Sequence, residues 1–239
     1  MAGTAVSRRL GWRVATLVDI VRETATASTL VLDVPGWPGH LAGQHIDLRL
    51  TAEDGYTAQR SYSMSAPADG DRVEVTVQRV TDGEVSPFLV DEFTVGSPIE
   101  IRGPVGRWFV WRPRDTAPVL LIAGGSGIVP LMSMIRARRQ EHSKVPFRLI
   151  YSVRTPEDRC YATELARPDG GLDVSYVYTR PSDGPRRRIG IVDITTGGWP
   201  PDFAPQCFIC GPNGFVETAA NILIALGHDT HRIKTERFG

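Results

Sequence analysis

The stretch Val119-Leu120-Leu121-Ile122-Ala123-Gly124-Gly125-Ser126-Gly127-Ile128-Val129-Pro130 decides the architecture of this chain. It opens with an unbroken apolar run, the mark of a strand buried on both faces of a parallel sheet. Glycines then crowd the turn, and Pro130 suits the first turn of a helix, where an amide hydrogen is not needed. Gly125 and Gly127 permit a tight turn and a close approach of a ligand. Free backbone amides and the positive end of the helix dipole attract an anion such as the pyrophosphate of a dinucleotide. The pattern Gly125-x-Gly127-x-x-Pro130 departs from the standard dinucleotide fingerprint by ending in proline, and alone it also fits an ordinary strand-to-helix turn.

Downstream the same grammar continues. Leu131 to Glu141 has helical periodicity, Phe147 to Val153, Leu172 to Tyr178 and Cys207 to Cys210 read as strands, and a helix is expected from Phe215 to Leu226. Strands alternating with helices predict a parallel sheet covered on both faces. Upstream the grammar is different. Arg13 to Val21, Thr29 to Val34, His45 to Leu50, Arg72 to Arg79 and Pro98 to Arg102 are short strands, several alternating apolar and polar residues as in Val73-Glu74-Val75-Thr76-Val77. Turns such as Pro35-Gly36, Asp54-Gly55 and Asp69-Gly70-Asp71 separate them, which predicts an antiparallel barrel with a short helix near Ser86 to Phe93. Trp111 to Pro118 reads as the linker. The expected organisation is two domains, an N-terminal antiparallel β-barrel over 1–113 and a C-terminal α/β parallel-sheet domain over 114–239.

Composition excludes several classes. Lys plus Arg and Asp plus Glu number 27 each, so no global field holds a nucleic acid or an anionic membrane, and any anion site must be local. The one dense basic run, Arg186-Arg187-Arg188, also fits a solvated loop. Three cysteines are too few for a disulfide scaffold or a four-thiolate iron–sulfur centre, and the odd count fits a reducing, cytoplasmic setting. Ser7-Arg8-Arg9-Leu10 faintly resembles a twin-arginine signal, but Arg13, Asp19 and Arg22 interrupt the apolar stretch that export requires. No segment has the roughly 20 apolar residues of a membrane span. Cys207 and Cys210 spell Cys-x-x-Cys, but residues three apart on a strand point to opposite faces, which disfavours a redox disulfide or half a zinc site. His228 and His231 lack a surrounding ligand pattern and are expected in an exposed terminal loop, so no metal is expected.

In the front half, Arg60-Ser61-Tyr62-Ser63 carries the most chemistry. An arginine can clamp a pyrophosphate, a tyrosine two positions on can lie along a flat cofactor, and the next serine offers a hydroxyl to a ring nitrogen. Alone, it also fits an exposed polar strand. Taken with Gly83-Glu84-Val85-Ser86, Gly103-Pro104-Val105-Gly106, the turn Gly124 to Pro130, Cys210-Gly211-Pro212 and Glu236-Arg237-Phe238, it resembles the ferredoxin–NADP reductase family over nearly the whole chain and in the family's order.

The resemblance implies a stand-alone oxidoreductase that binds FAD, takes hydride from NADPH or NADH, and hands electrons to a redox protein on a separate chain, without an iron–sulfur domain of its own. It implies that Arg60, Ser61, Tyr62, Gly83, Val85 and Ser86 bind the flavin, with Tyr62 stacked on the ring system and Ser63 beside its N5. Gly124, Gly125, Ser126, Gly127, Pro130, Gly211 and Pro212 would bind the pyridine nucleotide. Cys210 would pack beside the reactive nicotinamide carbon, Glu236 would polarise or relay protons, and Phe238 would cover the flavin, although Gly239 follows it where family chains end on the aromatic. Thr179, Arg180 and Arg188, with Arg154 nearby, resemble a 2′-phosphate pocket and imply NADPH, whereas Asp183 folded inward would suit NADH. The same residues also suit a flavin subunit that turns over only within a larger complex, or a nucleotide-binding module without redox activity.

Overall fold

A computed structural model of the chain describes residues 10–238, so Ser7 to Arg9 and Gly239 lie outside the described residues. The first half supplies six strands, β1 Arg13–Thr24, β2 Ala27–Asp33, β3 His45–Thr51, β4 Thr57–Ser63, β5 Arg72–Gln78 and β6 Pro98–Val105. They pair antiparallel in the order β4-β3-β6-β1-β2-β5. The two outer strands meet at a Met64–Val75 bridge, supported by the Ser65 amide donating to the Glu74 carbonyl at 2.8 Å, and this closes the barrel. Alternation explains β5: Val73, Val75 and Val77 are fully buried in the barrel core, while Arg72 and Gln78 face out. Burying each valine contributes about 1.5–3 kcal/mol. Thr76 breaks the pattern, since it is polar, points outward and is nevertheless buried, because the second domain covers it.

After β5 comes α1, a single turn at Val85–Pro87, which passes into a wider turn over Phe88–Glu92 as the sequence predicts for Ser86 to Phe93. The second half builds β7 Val119–Gly124, α2 Ile128–Gln140, β8 Phe147–Val153, α3 Ala162–Leu165, β9 Leu172–Tyr178, α4 Ile191–Gly197, β10 Gln206–Pro212, α5 Asn213–Ala225 and β11 Ile233–Phe238. Its five strands lie parallel in the order β11-β10-β7-β8-β9. Helix α2 covers one face through Leu131, Met134 and Ile135, and α4 and α5 cover the other through Ile194, Val216 and Leu223. The linker is anchored at its start, where Trp111 is buried with its ring edge-on to Phe147 at 5.2 Å.

Four features depart from the sequence expectation. Strand β4 is a barrel member, although its polar composition masks it. Gly103 to Val105 extends β6 beyond Arg102, where the sequence reading ends that strand. The seven-residue α4 and the charged edge strand β11 are additional elements. His228 is buried at 7% exposure rather than exposed, with Nδ1 4.0 Å from the Cys207 Sγ; His231 is exposed. Among the described residues no helix is long and apolar enough to cross a membrane.

Candidate active site between the two domains

At the end of the barrel, β4 presents its two faces to different neighbours. Tyr62 is half-buried against the core residues, and burial pushes its phenol up to about 12, with Arg60 opposing, so the ring stays neutral. Among the described residues, the exposed Arg60 guanidinium is engaged only by the carbonyl of Gln59 at 2.7 Å, which leaves most of its donors available to an anion. On the other face, the Ser61 hydroxyl donates to Asp47 at 2.7 Å and does not join Arg60 and Tyr62. Gly83, Val85 and Ser86 lie at the turn from β5 into α1. The Ser86 Oγ accepts from the Val80 amide at 3.0 Å and retains its own proton to donate, and a Cβ on Gly83 would meet that Oγ at 3.1 Å.

Ser63 closes β4, and its hydroxyl donates to Glu236 Oε1 at 3.0 Å, a contact that spans the two domains. Burial pushes the Glu236 carboxyl up to about 7, opposed by the Ser63 hydrogen bond, so near neutrality this side chain can hold or release a proton. Cys210 is paired in register with Glu236. Its thiol is 1% exposed and raised well above the usual thiol range by burial and by Glu236, so it fills space and is no nucleophile. Cys207 and Cys210 belong to core clusters on opposite faces of the sheet, and both thiols are free.

The glycine turn is positioned by close packing. Gly125 has φ +55° with open space where a Cβ would stand, which suits the approach of a ligand. Gly127 has no such room, since a Cβ there would lie 2.1 Å from the Cys210 carbonyl oxygen. Gly124 and Gly211 both abut the Phe215 ring, where a Cβ would sit 2.7 and 2.8 Å from its atoms. This packing brings the start of α2, with Pro130 in its first turn, beside the start of α5 after Pro212. Two positive helix ends therefore face one cleft at the C-terminal edge of the sheet, the place where ligands bind in open α/β folds.

The cleft has two continuous parts. One, about 600 Å³, is lined by Thr179, Arg180, Arg188, Pro212 and Phe215. The other, about 250 Å³, shares Thr179, Pro212 and Phe215 and continues past Gly124, Ser126 and Arg154 to Phe238, which is 38% exposed at the end of β11. Arg186 and Arg187 also line the larger part, although sequence reads them equally well as a solvated loop. Arg187 is taken by an ion pair with Asp193, while Arg186 and Arg188 have no ion-pair partner among the described residues. No acidic residue lines this larger part, and Asp183 lies outside it. Sequence reasoning missed Ser152, Phe215 and Thr218, which carry no motif and reach the cleft only through the sheet order.

A flavin fits the available Arg60 donors and the half-buried Tyr62 ring, and a dinucleotide fits the open side of Gly125 between two helix starts. Such a barrel facing such a sheet defines a two-domain flavin and pyridine-nucleotide oxidoreductase. An oxidoreductase FAD-binding domain model matches residues 15–110, and an oxidoreductase NAD-binding domain model matches 121–221. The ferredoxin–NAD(P)+ reductase component of naphthalene 1,2-dioxygenase/salicylate 5-hydroxylase systems from a Ralstonia species is 31% identical over 77% of this chain and 55% of its own length. A Pseudomonas putida flavohemoprotein is 30% identical over 96% of this chain and 60% of its own. The chain thus spans 55% to 60% of these relatives. The FAD/NAD-binding domain of a nitric oxide dioxygenase from Vibrio cholerae has the same fold, with TM-score 0.85 and 24% identity over 97% of this chain and all of that one. The chain belongs to the ferredoxin–NADP reductase family.

Proposed function

We propose that the chain is a cytoplasmic reductase that accepts a hydride from NADPH onto FAD and delivers electrons to a redox protein on a separate chain. The observation that carries this reading is the Ser63–Glu236 hydrogen bond, because it ties the flavin-side strand to the last strand of the nucleotide domain at the mouth of the cleft. The Ralstonia relative is itself named as the reductase component of oxygenase systems, which supports a protein acceptor. The domains run over 1–113 and 114–239.

Bound FAD and nicotinamide would supply the hydride and electron-transfer chemistry. The chain's residues align the two and exclude water. Arg60, Gly83, Val85 and Ser86 would hold the flavin phosphates, Tyr62 would back the ring, and Ser63 would offer its hydroxyl to N5. The Gly124–Gly127 turn, Ser126, Pro130, Gly211 and Pro212 seat the coenzyme. Cys210 would limit its depth, Phe238 would cover the flavin in the absence of nicotinamide, and Glu236 would polarise or relay protons through its hydrogen bond with Ser63. Thr179, Arg180 and Arg188 favour NADPH over NADH, because cations and a hydroxyl suit a 2′-phosphate and, among the described residues, no acidic side chain lines that larger part of the cleft.

Anaerobic titration of the FAD-loaded protein with NADPH and NADH, followed by flavin absorbance, tests the reading. Bleaching at lower NADPH than NADH is expected, as is selective loss of the NADPH response in the double variant Arg180→Ala/Arg188→Ala. Failure of both coenzymes to bleach the flavin would overturn the reductase assignment, and an NADH preference would overturn the phosphate pocket.

A further inference from the structure

Behind the smaller part of the cleft, a ring of hydrogen bonds passes from one domain to the other and back. The Tyr161 phenol meets the Thr76 hydroxyl, and the Thr76 Oγ1 lies 2.7 Å from the Thr29 Oγ1. Thr29 donates to Glu23 Oε1 at 2.8 Å, and the Tyr161 amide donates to the other oxygen, Oε2, at 2.9 Å. Glu23, Thr29 and Thr76 stand on β1, β2 and β5 of the barrel, and Tyr161 stands just before α3 of the second domain.

The ring has one direction. The Glu23 carboxylate only accepts, so Thr29 must spend its proton there and accept from Thr76, which in turn accepts from Tyr161. The phenol suits the starting place because burial holds it well above the ordinary tyrosine range and keeps it a donor. Thr29, Thr76 and Tyr161 are 3%, 6% and 4% exposed, so water cannot replace a missing link. Tyr161 also has φ 57° and ψ 25°, a left-handed conformation that a bulky residue adopts only when its surroundings over-determine it. Arg136 adds a brace: its guanidinium lies over the Tyr161 ring at 5.1 Å, bonds the Ser65 carbonyl and Glu74 at 3.1 Å each, and pairs with Glu164 at 2.7 Å.

Three of the four ring residues stand close in sequence to a residue lining the cleft: Thr24 follows Glu23, Gln78 stands two along β5 from Thr76, and Cys160 precedes Tyr161. Across the same cleft lie Gly125, Ser126 and Phe238. We infer that Tyr161 is a positioning residue whose closed ring with Thr76, Thr29 and Glu23 fixes the separation of the two domains and hence the approach of the coenzyme to the flavin. The functional half of this inference rests on the reductase reading above.

Tyr161→Phe removes the first donor while keeping the ring stacked under Arg136, and Thr76→Val breaks the middle link at constant shape. Two readouts are needed. The first is the distance distribution between spin labels on Val95→Cys in the barrel and Ile224→Cys on α5, both exposed; the native cysteines, at most 5% exposed, will resist labelling. Both ring variants should broaden that distribution, and an unchanged width would overturn the inference whether or not the chain is a reductase. The second is stopped-flow flavin reduction with coenzyme protiated or deuterated at C4. The variants should slow reduction by about 10- to 100-fold with the coenzyme KM within about twofold, and should make the isotope effect more temperature-dependent. Broadened distances with unaltered reduction would overturn the role in coenzyme approach. Absence of flavin reduction in the unmodified protein would instead count against the reductase reading, leaving the distance measurement to decide the ring.

Discussion

Replacing Glu236 by glutamine fixes in place a neutral side chain that still accepts from Ser63, and the structure sets how much that should matter at each pH. The carboxyl moves from 4.5 to about 7 on folding because it is buried. Each pH unit of such a displacement corresponds to about 1.4 kcal/mol, so the protonated form is favoured in the folded chain by about 3 kcal/mol. The folded state binds this proton more tightly than the unfolded state. Its stabilising contribution is therefore complete below pH 4.5 and is lost as pH rises through about 7. Glu236→Gln never loses it. In the flavin-free protein the variant should match the unmodified chain closely near pH 4.5 and exceed it by about 3 kcal/mol at pH 8, roughly 6–12 °C in Tm for a chain of this size. Thermal melts of both proteins across that range measure the difference directly. A gap that is constant with pH, or one that narrows toward pH 8, would refute the buried-carboxyl argument.

Gly127→Ala should destabilise the nucleotide domain by about 1–3 kcal/mol, since its Cβ would meet a backbone carbonyl that cannot move aside; a urea melt identical to the unmodified protein's would contradict the packing. Arg60→Ala should weaken FAD retention more than it slows flavin reduction, and Ser63→Ala should do the reverse, as read by flavin binding alongside stopped-flow absorbance. Phe238→Ala should relax the preference between NADPH and NADH, because a covering aromatic imposes a displacement cost on both; unchanged affinities and selectivity would remove Phe238 from the gate.

How much of this was legible in the chain depends on whether periodicity or position carried the information. Phe147–Val153 is found where an apolar run predicts it, because it lies inside a sheet covered on both faces, and the edge strand Leu172–Tyr178 is legible because Leu172, Val174, Tyr176 and Tyr178 alternate onto one packed face. Strands β4 and β11 escape that test: each lies at one edge of its hydrogen-bonded order, where polar residues are tolerated. The motifs bring Arg60, Gly125 and Glu236 to notice individually, but no spacing announces that Ser63 will touch Glu236, 173 residues away. His228 looked exposed for a similar reason, since its burial comes from the fold around Cys207 and not from its own neighbours in sequence. Tyr161 is the clearest omission, because an isolated tyrosine before a four-residue helix gives no hint that its phenol will enter the other domain.

The 173-residue reach from Ser63 to Glu236 also imposes an order in time. All six barrel strands are complete by Val105, so the barrel can close while the second half of the chain is still being made. At roughly 5–20 residues per second, synthesis from Val105 to Glu236 takes about 7–26 s. Throughout that interval the nascent barrel carries Arg60 and Tyr62 at its open end with nothing opposite them. A flavin that arrives early would meet only half of its seat, and the last strand would close the site over a cofactor already in place.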